Sequence, residues 1–293
     1  MDNIEMKPAT FQRKISSNIM KDKILITQLG KGGYKDTIYV YPDNNGSKKT
    51  GYAFDAVVDK ENPNKLLLIG TSGSGWSGVL DWYSLGLSNE RRMQADKIRK
   101  KLSENEPFTD WQSIERFIKE AGNFEIVKIA IVEPGSTQEQ LEEYPEILLN
   151  AFKDIVDEKR NTKIIFDISN GFRSMPLYIT MFVRYAGLIN RSQIEYSMYY
   201  GMYEASTSQG TPLVDLSAVS ELTDWVNAIS EFQSLGSVKG LCECLNREVG
   251  KQSDKVKQDQ IKYVIRQFEQ FDCAWNVNNL YYLENGIKQI STL

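Results

Sequence analysis

The stretch Lys-Ile-Ile-Phe-Asp-Ile-Ser-Asn-Gly-Phe-Arg-Ser-Met-Pro-Leu at 163–177 constrains the fold more than any other part of the chain. Its apolar run predicts a buried strand over 163–168, its polar middle a tight turn, and its end an apolar helix starting near Ser174. A strand, a one-glycine loop and a helix N-terminus in that order make an anion site. Loop and first-turn N–H groups point above the strand end, and the helix dipole adds positive potential there. Arg173 stands where a guanidinium could fork two donors onto a phosphate, and Asp167 closes the strand where it can accept loop amides. The local pattern calls for a phosphate or a nucleotide.

The same alternation runs through most of the chain. Further strands are expected over 23–29, 38–41, 52–58, 65–69, 125–132 and 193–200, with helices over about 79–85, 90–102, 110–121, 138–157 and 174–189. Strands alternating with helices predict an α/β fold, a mainly parallel sheet covered by helices on both faces. From residue 216 the texture changes to four helical stretches, 217–235, 238–248, 254–271 and 276–290. The polar run Ser-Thr-Ser-Gln-Gly-Thr-Pro at 206–212 is the natural break. This gives a polar, flexible arm over 1–22, an α/β domain over 23–212 and an all-α region over 213–293.

Composition excludes whole classes of function. Hydrophobic residues at 41% and charged residues at 25% describe a globular chain, and a net charge of −4 argues against binding long nucleic acid over a broad basic surface. No apolar run approaches the roughly 20 residues of a membrane span, and no charged-then-apolar leader opens the chain, so it reads as cytoplasmic without a membrane partner. Histidine is absent altogether, which removes imidazole bases, imidazole-ligated metals and every triad built on them. Cys242, Cys244 and Cys273 lie far from the turns of interest and suit packing. Neither a metal nor a cofactor is expected.

Two more turns carry possible chemistry. Gly30-Lys31-Gly32-Gly33 follows the first strand, with Lys31 beside loop amides that can nest an anion and Tyr34 placed to lie over a base or to cap the sheet. Thr71-Ser72-Gly73-Ser74-Gly75-Trp76-Ser77-Gly78 follows the 65–69 strand. Its glycines match G-x-G-x-x-G, the fingerprint of nicotinamide-dependent oxidoreductases, but about 20 residues on, where that fold wants a strand ending in an acid, lies the charged stretch 90–102. A ligand loop at the sheet edge fits better. Thr71, Ser72 and Ser74 can hydrogen-bond phosphate or ribose, and Trp76 can stack a base or pack beneath the loop.

The run Asp167-Ile168-Ser169-Asn170-Gly171-Phe172-Arg173-Ser174-Met175-Pro176 resembles the D-x-T-H-G-x-R-S-x-P signature of CRISPR-associated proteins with a CARF domain. The stretch 24–39, with its glycine-rich turn and the run Tyr34-Lys35-Asp36-Thr37-Ile38-Tyr39, is similar to that family's first strand and loop, and the resemblance covers roughly 23–223. One departure is visible: Ser169-Asn170 stands where the signature has Thr-His.

The resemblance implies a Rossmann-like sensor of type III CRISPR defence. Such a sensor binds cyclic oligoadenylate, most often cyclic tetra- or hexa-adenylate, across the two-fold of a homodimer. It implies ligand contacts from Gly30, Lys31, Gly32, Tyr34, Thr71, Ser72, Ser74, Trp76, Ser169, Asn170, Gly171, Phe172, Arg173 and Ser174. It also leaves open a metal-independent ring nuclease, in which a ribose 2′-hydroxyl attacks its own phosphodiester while Lys31 and Arg173, as catalytic residues, stabilise the developing charge. Many relatives carry a C-terminal HEPN ribonuclease whose arginine–histidine motif this chain cannot supply. It is either the sensor portion of such an effector or a protein without that nuclease.

Overall fold

The computed structural model describes residues 22–42, 45–85, 87–104, 106–157, 161–171, 174–181 and 194–276. They divide into two compact units. One runs to Tyr196 and takes in Gly201–Leu213; the other comprises Ser197–Tyr200 and the chain from Val214.

The first unit is built on apolar runs. Strands β1 (Asp22–Leu29), β4 (Lys65–Gly70) and β6 (Thr162–Asp167) bury almost every residue in succession, which requires cover on both faces of the sheet. β1 pairs parallel with β4 on one side and with β6 on the other, and β4 pairs parallel with β5 (Ile126–Ile131). Adding β2 (Thr37–Val40), β3 (Ser47–Thr50), β7 (Ile194–Gly201) and β8 (Thr211–Asp215), the described strands form one sheet in the order β3-β2-β8-β7-β6-β1-β4-β5. Helices α1 (Ala53–Glu61), α2 (Trp76–Ser84), α3 (Asn89–Leu102), α4 (Trp111–Gly122) and α5 (Gln138–Lys153) intervene, and α6 begins at 175 and is described to 181.

Two expectations required correction. The stretch 52–58 is not a strand but most of α1. Ala53, Phe54, Ala56, Val57 and Glu61 are its buried residues, a helical spacing, and Asn62 ends it in the left-handed region with its N–H on the Val58 carbonyl. The aromatic and β-branched content suggested β structure, but tertiary packing favoured the helix. The polar run Ser47–Thr50 is strand β3, antiparallel to β2 at the sheet margin, where lysines are at home. The expected break at 206–212 contains a tight turn closed by Thr207 and Gly210 and then the start of β8. Pro212 sits at the beginning of that strand, where one missing N–H is tolerated. The arm before residue 22, the remainder of the 174–189 helix and the last helix over 276–290 lie outside the described residues, apart from Asn276, which ends α9.

The second unit holds α7 (Ser217–Leu235), α8 (Lys239–Lys251) and α9 (Lys255–Asn276). Its core is thin: Ala228, Leu241 and Cys244 form one buried cluster, Val238, Phe271 and Ala274 another, and Phe232 and Phe268 pack against both.

Candidate ligand-binding site

β6, β1 and β4 are adjacent and parallel, so the turns that follow them leave the sheet at one edge. The chain also reverses direction there, because β4 and β5 add on one side of β1 while β6 and β7 add on the other. Open α/β sheets leave a ligand crevice at such a point.

The turns touch. The Gly30 carbonyl accepts the Gly75 N–H at 2.8 Å, and the Leu29 carbonyl accepts the Ser74 hydroxyl at 2.7 Å. A Cβ on Gly75 would lie 3.1 Å from the Gly32 Cα, and one on Gly30 would lie 3.7 Å from the Gly171 nitrogen. Only backbone without side chains lets these turns approach so closely.

Beneath them is a polar network. Asp167, 1% exposed, accepts from the Thr27 hydroxyl at 2.7 Å and from the Ser169 N–H at 3.0 Å, and the Ser169 hydroxyl donates to it as well. Burial pushes the Asp167 carboxyl above the usual carboxylate range, against the pull of those donors. The Ser169 oxygen accepts the Gly201 N–H at 2.7 Å and ties the end of β6 to that of β7. Gly171 adopts φ +97°, and a Cβ there would meet Gln28 Oε1 at 2.2 Å. Gln28 is 2% exposed, and neither of its amide atoms has a hydrogen-bond partner among the described residues.

Beside these turns opens a cleft of about 450 Å³. Residues 32–37 wall one side, Asn170 contributes from the β6 loop, and Tyr203, Ser206 and Thr211 close the other side. Thr211 Oγ1 lies 2.9 Å from both Thr37 Oγ1 and Ser206 Oγ, giving a row of hydroxyls. The Tyr34 hydroxyl accepts the Gly30 N–H at 2.7 Å, its ring leans on Tyr52, and burial pushes its pKa up to about 12, so it stays neutral. Lys31, Lys35 and Asp36 are exposed and form no ion pair among the described residues.

The structure therefore gathers Gly30, Lys31, Gly32, Tyr34, Asn170 and Gly171 around one edge, with Ser72 exposed on the neighbouring turn. Ser74 and Ser169 brace the turns through the bonds above, and Thr71 is buried. Trp76 offers no stacking surface. It is 1% exposed, its indole N–H donates to the Thr71 carbonyl at 2.8 Å, and its ring packs on Trp111. The Ser174 carbonyl accepts N–H bonds from Leu177 and Tyr178 at the start of α6. Phe172 and Arg173 lie outside the described residues.

The glycines of 73–78 serve packing. Gly75 abuts Gly32, a Cβ on Gly78 would strike the Tyr52 hydroxyl, and three helices rather than one separate β4 from β5. Among the described residues no group of three or more carboxylates or thiols could hold a metal, and no helix is long and apolar enough to cross a membrane.

Sequence reasoning passed over Lys35, Asp36, Tyr203, Ser206 and Thr211 as lining residues. Lys35 and Asp36 directly follow the glycine turn, a signal that could have placed them. Ser206 and Thr211 reach the cleft through sheet order alone and leave no local trace.

A mainly parallel sheet with a crevice at the reversal point, lined by glycine turns and hydroxyls, defines a Rossmann-like domain. The family model for the CARF domain of the CRISPR system endoribonuclease Csx1 matches residues 24–203, and the chain belongs to that family. A relative, CRISPR-associated protein MJ1674 of Methanocaldococcus jannaschii, is 22% identical over 261 residues, spanning 80% of this chain and 40% of the relative. The chain thus covers less than half the length of that protein.

Proposed function

We propose that this chain is the sensor part of a type III CRISPR accessory protein and binds cyclic oligoadenylate at the edge formed by the β1, β4 and β6 turns. The observation that carries the reading is the meeting of those three turns beside a cleft lined by Asn170, which stands where the family signature has histidine. Exposed backbone at Gly32 and Gly33 and the unpaired Lys31 and Lys35 suit phosphodiesters; the hydroxyl row and Tyr34 suit a nucleoside. A cyclic ring with two-fold symmetry meets two copies of one surface equally, so the binding unit is a homodimer with the ring on its axis. The signal would then pass to the helical unit and to whatever effector the full-length protein carries.

The test is incubation of the chain with radiolabelled cyclic tetra- and hexa-adenylate without metal, followed by binding measurement and product gels. Tight binding with an intact ring is the expected result. Linear products would assign ring cleavage instead, and no binding of either ring would discard the proposal. Asn170→Ala should weaken binding about tenfold through loss of a hydrogen bond worth roughly 1–1.5 kcal/mol.

A further inference from the structure

The cleft carries one group that a polyanion site should exclude. Asp36 lines it, exposed and without an ion pair or hydrogen bond among the described residues, next to the equally unpaired Lys35. Two like charges in contact repel even in bulk water, and more strongly near a protein surface. A phosphate beside the Asp36 carboxylate meets that repulsion, whereas one beside Lys35 and the amides of Gly32 and Gly33 is attracted. Phosphates therefore belong with Lys35 and those amides, and the Asp36 carboxylate is left for a neutral group that donates hydrogen bonds.

The remaining lining agrees. Ser206 and Thr211 offer hydroxyls, Tyr34 and Tyr203 aromatic surface, and Asn170 an amide able to donate and accept. At about 450 Å³ the cleft has room for one nucleoside but not for a ring of four or more nucleotides, so one base at a time enters it while the rest of the ring lies outside. We infer that this cleft is a nucleobase subsite in which the Asp36 carboxylate accepts from the exocyclic amine of adenine, making Asp36 a specificity-determining residue. Hypoxanthine has the same shape but carries an oxygen acceptor at that position. A carboxylate attracts the amine and repels the carbonyl, so one side chain reads the difference. Discrimination of this kind is large, because the wrong base leaves two acceptors facing each other.

The inference rests on the proposed ligand class, and the experiment separates the two. Affinities for cyclic tetra-adenylate and cyclic tetra-inosinate are measured on the unaltered chain, on Asp36→Ala and on Asp36→Glu. Asp36 is exposed and holds no structural partner, so the variants should fold; circular dichroism and melting check this. The expected result is at least tenfold preference for the adenylate ring in the unaltered chain. In Asp36→Ala that ratio should fall to within about threefold through loss of adenylate affinity, and in Asp36→Glu it should be partly restored. Equal weakening of both rings, or a ratio unchanged by Asp36→Ala, would overturn the role of Asp36 while leaving the ligand reading intact. Binding of neither ring by the unaltered chain would remove the ligand reading and this inference together.

Discussion

The two units of the chain leave opposite things unsatisfied. In the sheet unit the apolar residues of β1, β4 and β6 are buried almost without exception, while Lys31, Lys35 and Asp36 stand unpaired at the sheet edge. On the helical unit Arg247 pairs with Asp224 at 2.9 Å and Lys251 with Glu221, and Val219, Leu222, Val226 and Ile229 of α7 lie exposed as an apolar stretch. One unit keeps polar capacity open and the other keeps apolar area open. A small polar ligand is received by the first kind of surface and not by the second.

The contrast is sharpest at tryptophan. Trp76 is sealed under the β4 turn, whereas Trp275 near the end of α9 is 50% exposed. Trp76→Ala should destabilise the sheet unit by about 3–5 kcal/mol, and Trp275→Ala, which loses the half-buried ring stacked on Phe271, should cost the helical unit less, about 1–2 kcal/mol. Denaturant unfolding of each variant checks both; similar losses would erase the distinction between the units. Gly171 comes next. A left-handed φ and a Cβ colliding with Gln28 should make Gly171→Ala cost about 2–4 kcal/mol. Gly33, also at positive φ but facing open space, should cost only about 1 kcal/mol when changed to Ala.

How much of this was legible follows from what each feature depends on. The strand and turn of 163–171 could be read because an apolar run, an acid and a glycine are local facts, and Asn170 came with them. Trp76 could not, since its ring is held by Trp111 on a helix two elements further on. α1 was misread because aromatic and β-branched residues carry both a strand preference and a helical spacing, and only the cover over the sheet decides between them. Nothing in the local sequence marks Asp36 as lining a cleft. Its meaning came from the far side of the cleft, which β8 supplies, and β8 was hidden by its own proline.

Gln28 offers a gain rather than a loss. Its amide is buried without a partner among the described residues, and an unmet buried polar group costs roughly 1–3 kcal/mol. Gln28→Met keeps the shape, removes the cost and should raise stability by about 1 kcal/mol, read as a higher melting temperature. A lower one would mean that the amide is satisfied in solution.

A smaller effect concerns Asp167 and pH. Its folded pKa is raised above the ordinary 3.8 because burial outweighs the bonds from Ser169 and Thr27. The folded state therefore holds its proton more tightly than the unfolded chain. The stabilisation this gives is complete below 3.8 and is lost as pH rises through the higher folded value. Asp167→Asn has no such proton, so the stability difference between variant and parent should shift in the variant's favour as pH rises from below 3.8 towards neutrality. A difference independent of pH would mean that Asp167 is not desolvated.

The least disturbance is expected where the helical unit differs most from the sheet unit. On α7, Ala228 faces Leu241 and Cys244, while Val226 and Ile229, two residues before it and one after, are 56% and 44% exposed. A helix places neighbours about 100° apart, so adjacent positions answer to different surroundings. Ile229→Ser removes apolar area that is nearly half exposed, and its cost should be about 1 kcal/mol. Ala228→Asp forces a charge into the small cluster and should melt the helical unit outright, with loss of far-UV helical signal. A cost of several kcal/mol for Ile229→Ser would show that this face is covered in solution, and the contrast between the two units would then hold only for the sheet unit's open polar edge.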